Sequence, residues 1–159
     1  MQELKLAFYI GRKSRNPKAT ALDRLICFFT KSSYSHVELI YDLDHATMHA
    51  KTWSSSPLDG GVRKASIQLN PQRWEVFTIE GVYTTEQLHE WFKTQEGKKY
   101  DWVGAVGVKF KVFEQHPNKW FCSEIVGSYL GLNRPHRLSP IKLYHQLHPK
   151  LRRVEHPKR

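Results

Sequence analysis

The chain contains two thiols, Cys27 and Cys122, and nine histidines. A thiolate attacks carbonyl carbon far better than a thiol, so a cysteine becomes a nucleophile where its surroundings draw off the proton. Cys122 stands in Trp120-Phe121-Cys122-Ser123-Glu124-Ile125-Val126, at the start of an apolar-periodic segment. In the first turn of a helix it would face unpaired backbone N–H groups. Their partial positive charge favours the thiolate, and the same groups can receive an oxyanion. His36, in Tyr34-Ser35-His36-Val37-Glu38, is a base candidate at a strand start. His49, in Thr47-Met48-His49-Ala50, falls on the following strand. A second imidazole there could hold the first in its working tautomer. Glu38 shares a strand face with His36 and competes for that orienting role, as does nearby His45. His36, His49 and Cys122 would also be an acceptable zinc ligand set. Tyr34, Trp53, Tyr100 and Trp102 are candidates to line a cleft, with core packing the competing use of each.

These residues need elements to place them. Alternation of apolar and polar residues predicts strands over 4–10, 36–42, 46–53, 62–69 and 74–79, with a turn at Asp44-His45 and a loop over 57–61. Residues 19–30, which include Cys27, show helical spacing, and Cys27 reads as a small buried apolar group. Thr84 with Gln87 forms a capping-box pattern for a helix ending at Gly97. Asp101 is an N-cap for a helix over 102–110, and residues 120–132 form another apolar-periodic segment. Ser139-Pro140 starts a helix that runs to 146. Strands first and helices afterwards predict an α+β domain over 1–149, followed by a basic, frayed tail over 150–159.

Taken together, Ser35-His36-Val37, His49 and Phe121-Cys122-Ser123-Glu124-Ile125-Val126 resemble the circularly permuted branch of the NlpC-type papain-like cysteine hydrolases. YiiX-like proteins and the lecithin retinol acyltransferase family belong to that branch. Lys99-Tyr100-Asp101-Trp102-Val103-Gly104 resembles the Tyr-Asp-aromatic segment ahead of the family's cysteine helix, and the likeness spans about residues 7–144. The resemblance implies a small antiparallel sheet packed against helices, with a catalytic triad between them. Cys122 would be the nucleophile, His36 the general base and His49 the orienter. The family's third position is Glu in some members and His in others, which keeps Glu38 open beside His49. Catalysis would pass through a thioester, with no cofactor and no metal. The implied substrates are amide bonds in peptides or peptidoglycan, with esterase, thioesterase and acyltransferase chemistry as alternatives on the same triad.

The composition bounds the remaining choices. The 159 residues fit one domain, and 25 Lys+Arg against 15 Asp+Glu give a net charge of +10. That charge suits an anionic polymer, nucleic acid or an anionic membrane. The alternative to an enzyme is a nucleic-acid-binding or structural, virion-type protein. It would use the basic loop over 12–15, Lys98-Lys99 and the tail, although no recognised nucleic-acid motif accompanies them. Two cysteines exclude both a disulfide scaffold and a four-thiolate zinc site. The N-terminal residues do not read as a signal peptide, and no apolar run approaches the length of a spanning helix. The expectation is a cytoplasmic protein, or one delivered by lysis, a secretion machine or a phage particle.

Overall fold

The structure, a computed structural model, describes residues 3–11, 33–81, 83–107 and 116–157. The expected helix over 19–30 with Cys27, the basic loop over 12–15 and the end of the helix expected over 102–110 lie outside the described residues.

Among the described residues eight strands form a single sheet: β1 (Lys5–Ile10), β2 (Tyr34–Asp44), β3 (His49–Ser56), β4 (Gly61–Gln68), β5 (Trp74–Ile79), β6 (Lys99–Tyr100), β7 (Lys119–Trp120) and β8 (Leu151–Arg153). Their order is β7-β6-β4-β3-β2-β1-β5-β8, and the sheet curls into a half-barrel. Every pairing is antiparallel except that of β6 with β7. The described α-helices are α1 (Thr85–Lys93), α2 (Trp102–Gly107), α3 (Cys122–Tyr129) and α4 (Pro140–Leu147). The architecture is α+β, as the element order predicts.

Strand alternation builds the core on both faces of the sheet. On one face Leu6, Phe8, Val37, Leu39, Trp53 and Phe77 meet Leu88 and Phe92 of α1, Ile125 and Val126 of α3, and Leu143 and Leu147 of α4. The residues between them on those strands, Ala7, Ile40, Ala50 and Val76, join Met48 and Leu69 in a second cluster on the other face. The helix starts are capped as expected. Thr84 Oγ1 accepts the Gln87 N–H at 3.2 Å, and Ser139 Oγ accepts the Lys142 N–H at 3.4 Å with Pro140 following it.

Three features differ from the sequence expectation. The sheet is larger than the small one expected, because residues 99–100, 119–120 and 151–153 each add a short strand. Segments of two or three residues are too short to display a period of two. The tail is not frayed at its start: β8 pairs with β5, and Val154 N–H donates to the Val76 carbonyl at 2.8 Å. The second hairpin strand begins at His49 and not at Ala46, because Asp44 organises a turn. Its carboxylate accepts the Ala46 N–H at 2.9 Å and the Thr47 hydroxyl at 2.7 Å. Among the described residues no helix is long and apolar enough to cross a membrane.

Candidate active site

The site gathers where β2 begins and α3 begins. His36 and Glu38 occupy alternate positions of β2 and project to the same side. His36 Nε2 lies 2.7 Å from Glu38 Oε1. Cys122 stands near enough to the imidazole to act on its charge. With Nε2 engaged by Glu38, Nδ1 is the ring nitrogen that Glu38 leaves open. Cys122 is the first residue of α3 and is 2 % exposed, while His36 is 16 % exposed. The helix is held against β2 and β3 by its apolar stripe, and Ser123 Oγ donates to the Leu138 carbonyl at 2.6 Å. The first N–H groups of α3 have no partner within the helix, so they concentrate positive potential beside Cys122.

Glu38 is 1 % exposed, and an isolated carboxylate at that depth would be costly. Four donors meet it. Oε1 accepts from His36 and from Arg63 Nη2 at 2.6 Å, and Oε2 accepts from Arg63 Nη1 at 2.9 Å and Thr52 Oγ1 at 2.8 Å. A carboxylate offers about four acceptor directions, and all are taken. Burial alone would push the Glu38 carboxyl up, but His36 and Arg63 outweigh it and bring the pKa down to about 2. Burial likewise disfavours the imidazolium of His36, yet Cys122 and Glu38 together raise its pKa to about 10. Arg63 is also raised: burial works against its charge, and Glu38 and Asp59 more than compensate.

Strand register explains how Arg63 reaches Glu38. Leu39 stands opposite Trp53 on β3, and Ser54 stands opposite Arg63 on β4. One step along β2, Glu38 therefore shares a rung with Ser54 and Arg63. The two charged residues are two strand spacings apart, roughly 10 Å. The small Ser54 side chain between them turns down to the Val37 carbonyl at 2.7 Å and leaves the way clear. Asp59, in the turn between β3 and β4, accepts from Arg63 Nε at 2.8 Å and aims the guanidinium.

His49 does not meet His36. It is exposed, stands opposite Asp44 at the far end of the hairpin, and has Ser66 Oγ as its partner at 3.4 Å. Eight residues of strand separate Asp44 from His36, roughly 26 Å at a strand rise of about 3.3 Å per residue. The imidazole contact expected of His49 is made by the Glu38 carboxylate. The same separation keeps His36, His49 and Cys122 from forming a zinc site. His45, exposed in the turn, also lies at that distant end.

The aromatic candidates divide. Trp53 is a core residue, stacked on Phe92 at 5.2 Å with its indole N–H donating to His89 Nδ1 at 2.9 Å. Tyr34 donates its hydroxyl to Glu75 and packs among Phe8 and Tyr144. Tyr100 is buried against Phe121, the residue before Cys122. Trp102 alone presents an open face: it is 50 % exposed and rests edge-on against Tyr100 at 5.2 Å. Of the basic groups expected to meet an anionic polymer, Lys98 bonds to Gln95 at 2.9 Å, while Arg152 and Arg153 pair with Glu3 and Glu75. Lys99 and Lys150 are exposed.

Arg63, Thr52 and Asp59 are the site residues that sequence reasoning missed. Their signal was the pair of hairpin turns, whose positions set the rung on which Glu38 and Arg63 meet. A second buried carboxyl, Glu124, lies two positions beyond Cys122. Its Oε2 accepts the Phe121 N–H at 3.4 Å, and its Oε1 has no partner among the described residues. Burial pushes it up against the pull of that N–H, Asp101 adds to the push, and its pKa reaches about 8.

No family model matches this chain, and none of the curated proteins compared with it matches either.

Proposed function

We propose that the protein is a cysteine hydrolase of the permuted NlpC-type papain-like kind, with Cys122 as nucleophile, His36 as general base and Glu38 as the residue that orients His36. The observation that carries this reading is the placement of His36 between Cys122 and a carboxylate saturated with donors. His36 holds the proton drawn from Cys122, and the thiolate Sγ bonds to the substrate carbonyl carbon. The oxyanion forms beside the first N–H groups of α3. When the tetrahedral adduct collapses, the imidazolium gives its proton to the departing amine or alcohol and a thioester remains. Water then attacks the thioester, His36 accepts its proton, and acid and thiol are released. Amide bonds of peptide or peptidoglycan-type substrates are the favoured class, with esters, thioesters and acyl transfer as the alternative on the same residues.

The test uses a Cys27→Ser background, which leaves one thiol. Thiolate absorbance and the iodoacetamide rate of Cys122 are compared with those of His36→Ala. At about pH 6.5, two units below the ordinary thiol value of about 8.5, an unassisted thiol is about 1 % ionised. Loss of His36 is therefore expected to cut the alkylation rate by up to about 100-fold and to remove the thiolate absorbance. Equal rates and equal absorbance in the two proteins would overturn the proposal. The absorbance does not depend on reagent reaching a buried sulfur.

A further inference from the structure

We infer that Arg63 is a positioning residue for the Cys122–His36 pair: by filling one acceptor direction on each Glu38 oxygen, it keeps Glu38 an acceptor only, so that His36 presents Nε2–H to Glu38 and Nδ1 to Cys122. The inference deepens the proposed function and rests on it. A carboxylate beside an imidazole can hold the shared proton itself or leave it on nitrogen. Which occurs depends on what else competes for the carboxylate lone pairs. Here His36 takes one direction on Oε1 and Thr52 one on Oε2. The Arg63 fork closes the other two at 2.6 and 2.9 Å. With no direction left for a proton, Glu38 cannot become a donor, and the nitrogen that gains and loses a proton is the one facing sulfur.

The guanidinium is itself fixed. Its Nε donates to Asp59 at 2.8 Å, so these three contacts leave the fork one orientation. A planar fork matches a carboxylate in two parallel bonds, which the single ammonium of lysine cannot do. The charged groups that bear on Glu38 are His36 on its own strand, Arg63 on β4, and Asp59 through Arg63, with Cys122 of α3 beyond the imidazole. Thr52 supplies the neutral contact from β3.

The experiment follows three signals against pH in the Cys27→Ser protein, in Arg63→Met and in Arg63→Lys. They are the Glu38 carboxyl-carbon NMR shift, the His36 ring-nitrogen shifts, and the rate of Cys122 alkylation by iodoacetamide. An adjacent opposite charge typically lowers a carboxyl by about one to three pH units. The Glu38 midpoint is therefore expected to rise by at least about one pH unit in Arg63→Met. The His36 nitrogen shifts and the acid limb of alkylation should move up with it. Arg63→Lys should return the Glu38 midpoint part of the way. An unmoved Glu38 midpoint overturns the inference. So does a midpoint that moves while the His36 shifts and the alkylation limb stay in place, because that is how a merely structural ion pair behaves. If Arg63→Met does not fold, Arg63→Lys decides alone, with an intermediate midpoint expected and an unchanged one contradicting the inference. A Cys122 that is unreactive in the parent protein counts against the proposed hydrolase. The Glu38 and His36 signals would still decide the role of Arg63.

Discussion

Glu124→Gln is expected to change how stability depends on pH. The Glu124 carboxyl is buried at the first turn of α3, with one long hydrogen bond from the Phe121 N–H and an Oε1 that has no partner among the described residues. Burial first, then Asp101, hold its folded pKa at about 8, against an ordinary value of 4.5. Below 4.5 the carboxyl is protonated in both folded and unfolded chains, and it costs nothing. Between 4.5 and about 8 the unfolded chain has released the proton while the folded chain retains it, so folding is progressively disfavoured as pH rises. The slope for one proton is about 1.4 kcal/mol per pH unit. Over this window of about three and a half pH units, the loss is on the order of 5 kcal/mol. Glutamine preserves the capping pattern and does not ionise. The assay is urea unfolding of both proteins at several values between about pH 5 and 7.5, a range inside the window set by ordinary and folded values. The gap in unfolding free energy should change with pH in favour of Glu124→Gln, by about 1.4 kcal/mol per unit. Any fixed penalty from burying an unpaired amide shifts the whole curve and cancels from the slope. Parallel curves would refute the assignment of a protonated Glu124.

Two further outcomes follow from the same geometry. Glu38→Gln should slow His36-dependent alkylation of Cys122 at neutral pH by at least about ten-fold, within the range of general acid–base effects, whereas His49→Ala should leave it unchanged; the reverse pattern would return the orienting role to His49. Gly61→Ala should lose about 1–3 kcal/mol in chemical denaturation, a typical overpacking cost, because a Cβ at Gly61 would collide with the Lys98 carbonyl oxygen where β4 meets β6, and an unchanged midpoint would contradict this packing.

The long strands and the helix starts were legible because each carries a local signal. Thr84, Ser139 and Pro140 mark helix starts in type and position, and alternation in residues 37–41 and 74–79 sends successive side chains to the two cores on opposite faces of the sheet. The short strands β6, β7 and β8 carry no such signal, since backbone pairing and not side-chain pattern creates them. In the site, the contact between His36 and Glu38 follows from a spacing of two on one strand. Whether Glu38 or His49 meets the imidazole depends instead on hairpin register. Asp44 closes its turn with its own carboxylate and pushes the start of β3 to His49. That local event leaves His49 at the far end of the hairpin. Arg63 was hidden for a related reason: its partner is 25 positions away in sequence and becomes a neighbour only when two successive turns are placed.

The two buried carboxyls flanking Cys122 are driven to opposite protonation states by unequal donor supply. Glu38 has four hydrogen-bond donors, two of them from cationic Arg63, and stays ionised. Glu124 has one backbone N–H and the nearby charge of Asp101, and keeps its proton into mildly alkaline conditions. For the proposed chemistry this division is productive. A charged Glu124 two positions beyond Cys122 would compete with a thiolate for the positive end of α3. Kept neutral, it accepts the Phe121 N–H while leaving the helix end free to favour charge on sulfur. The negative charge of Glu38 falls on the opposite side of the imidazole, where it favours protonated His36. Both placements favour the same proton transfer, from Cys122 to His36. Glutamate at the third position of a helix commonly serves as a charged cap; here burial makes it a neutral one, and that neutrality links the cap of α3 to the reactivity of its first residue.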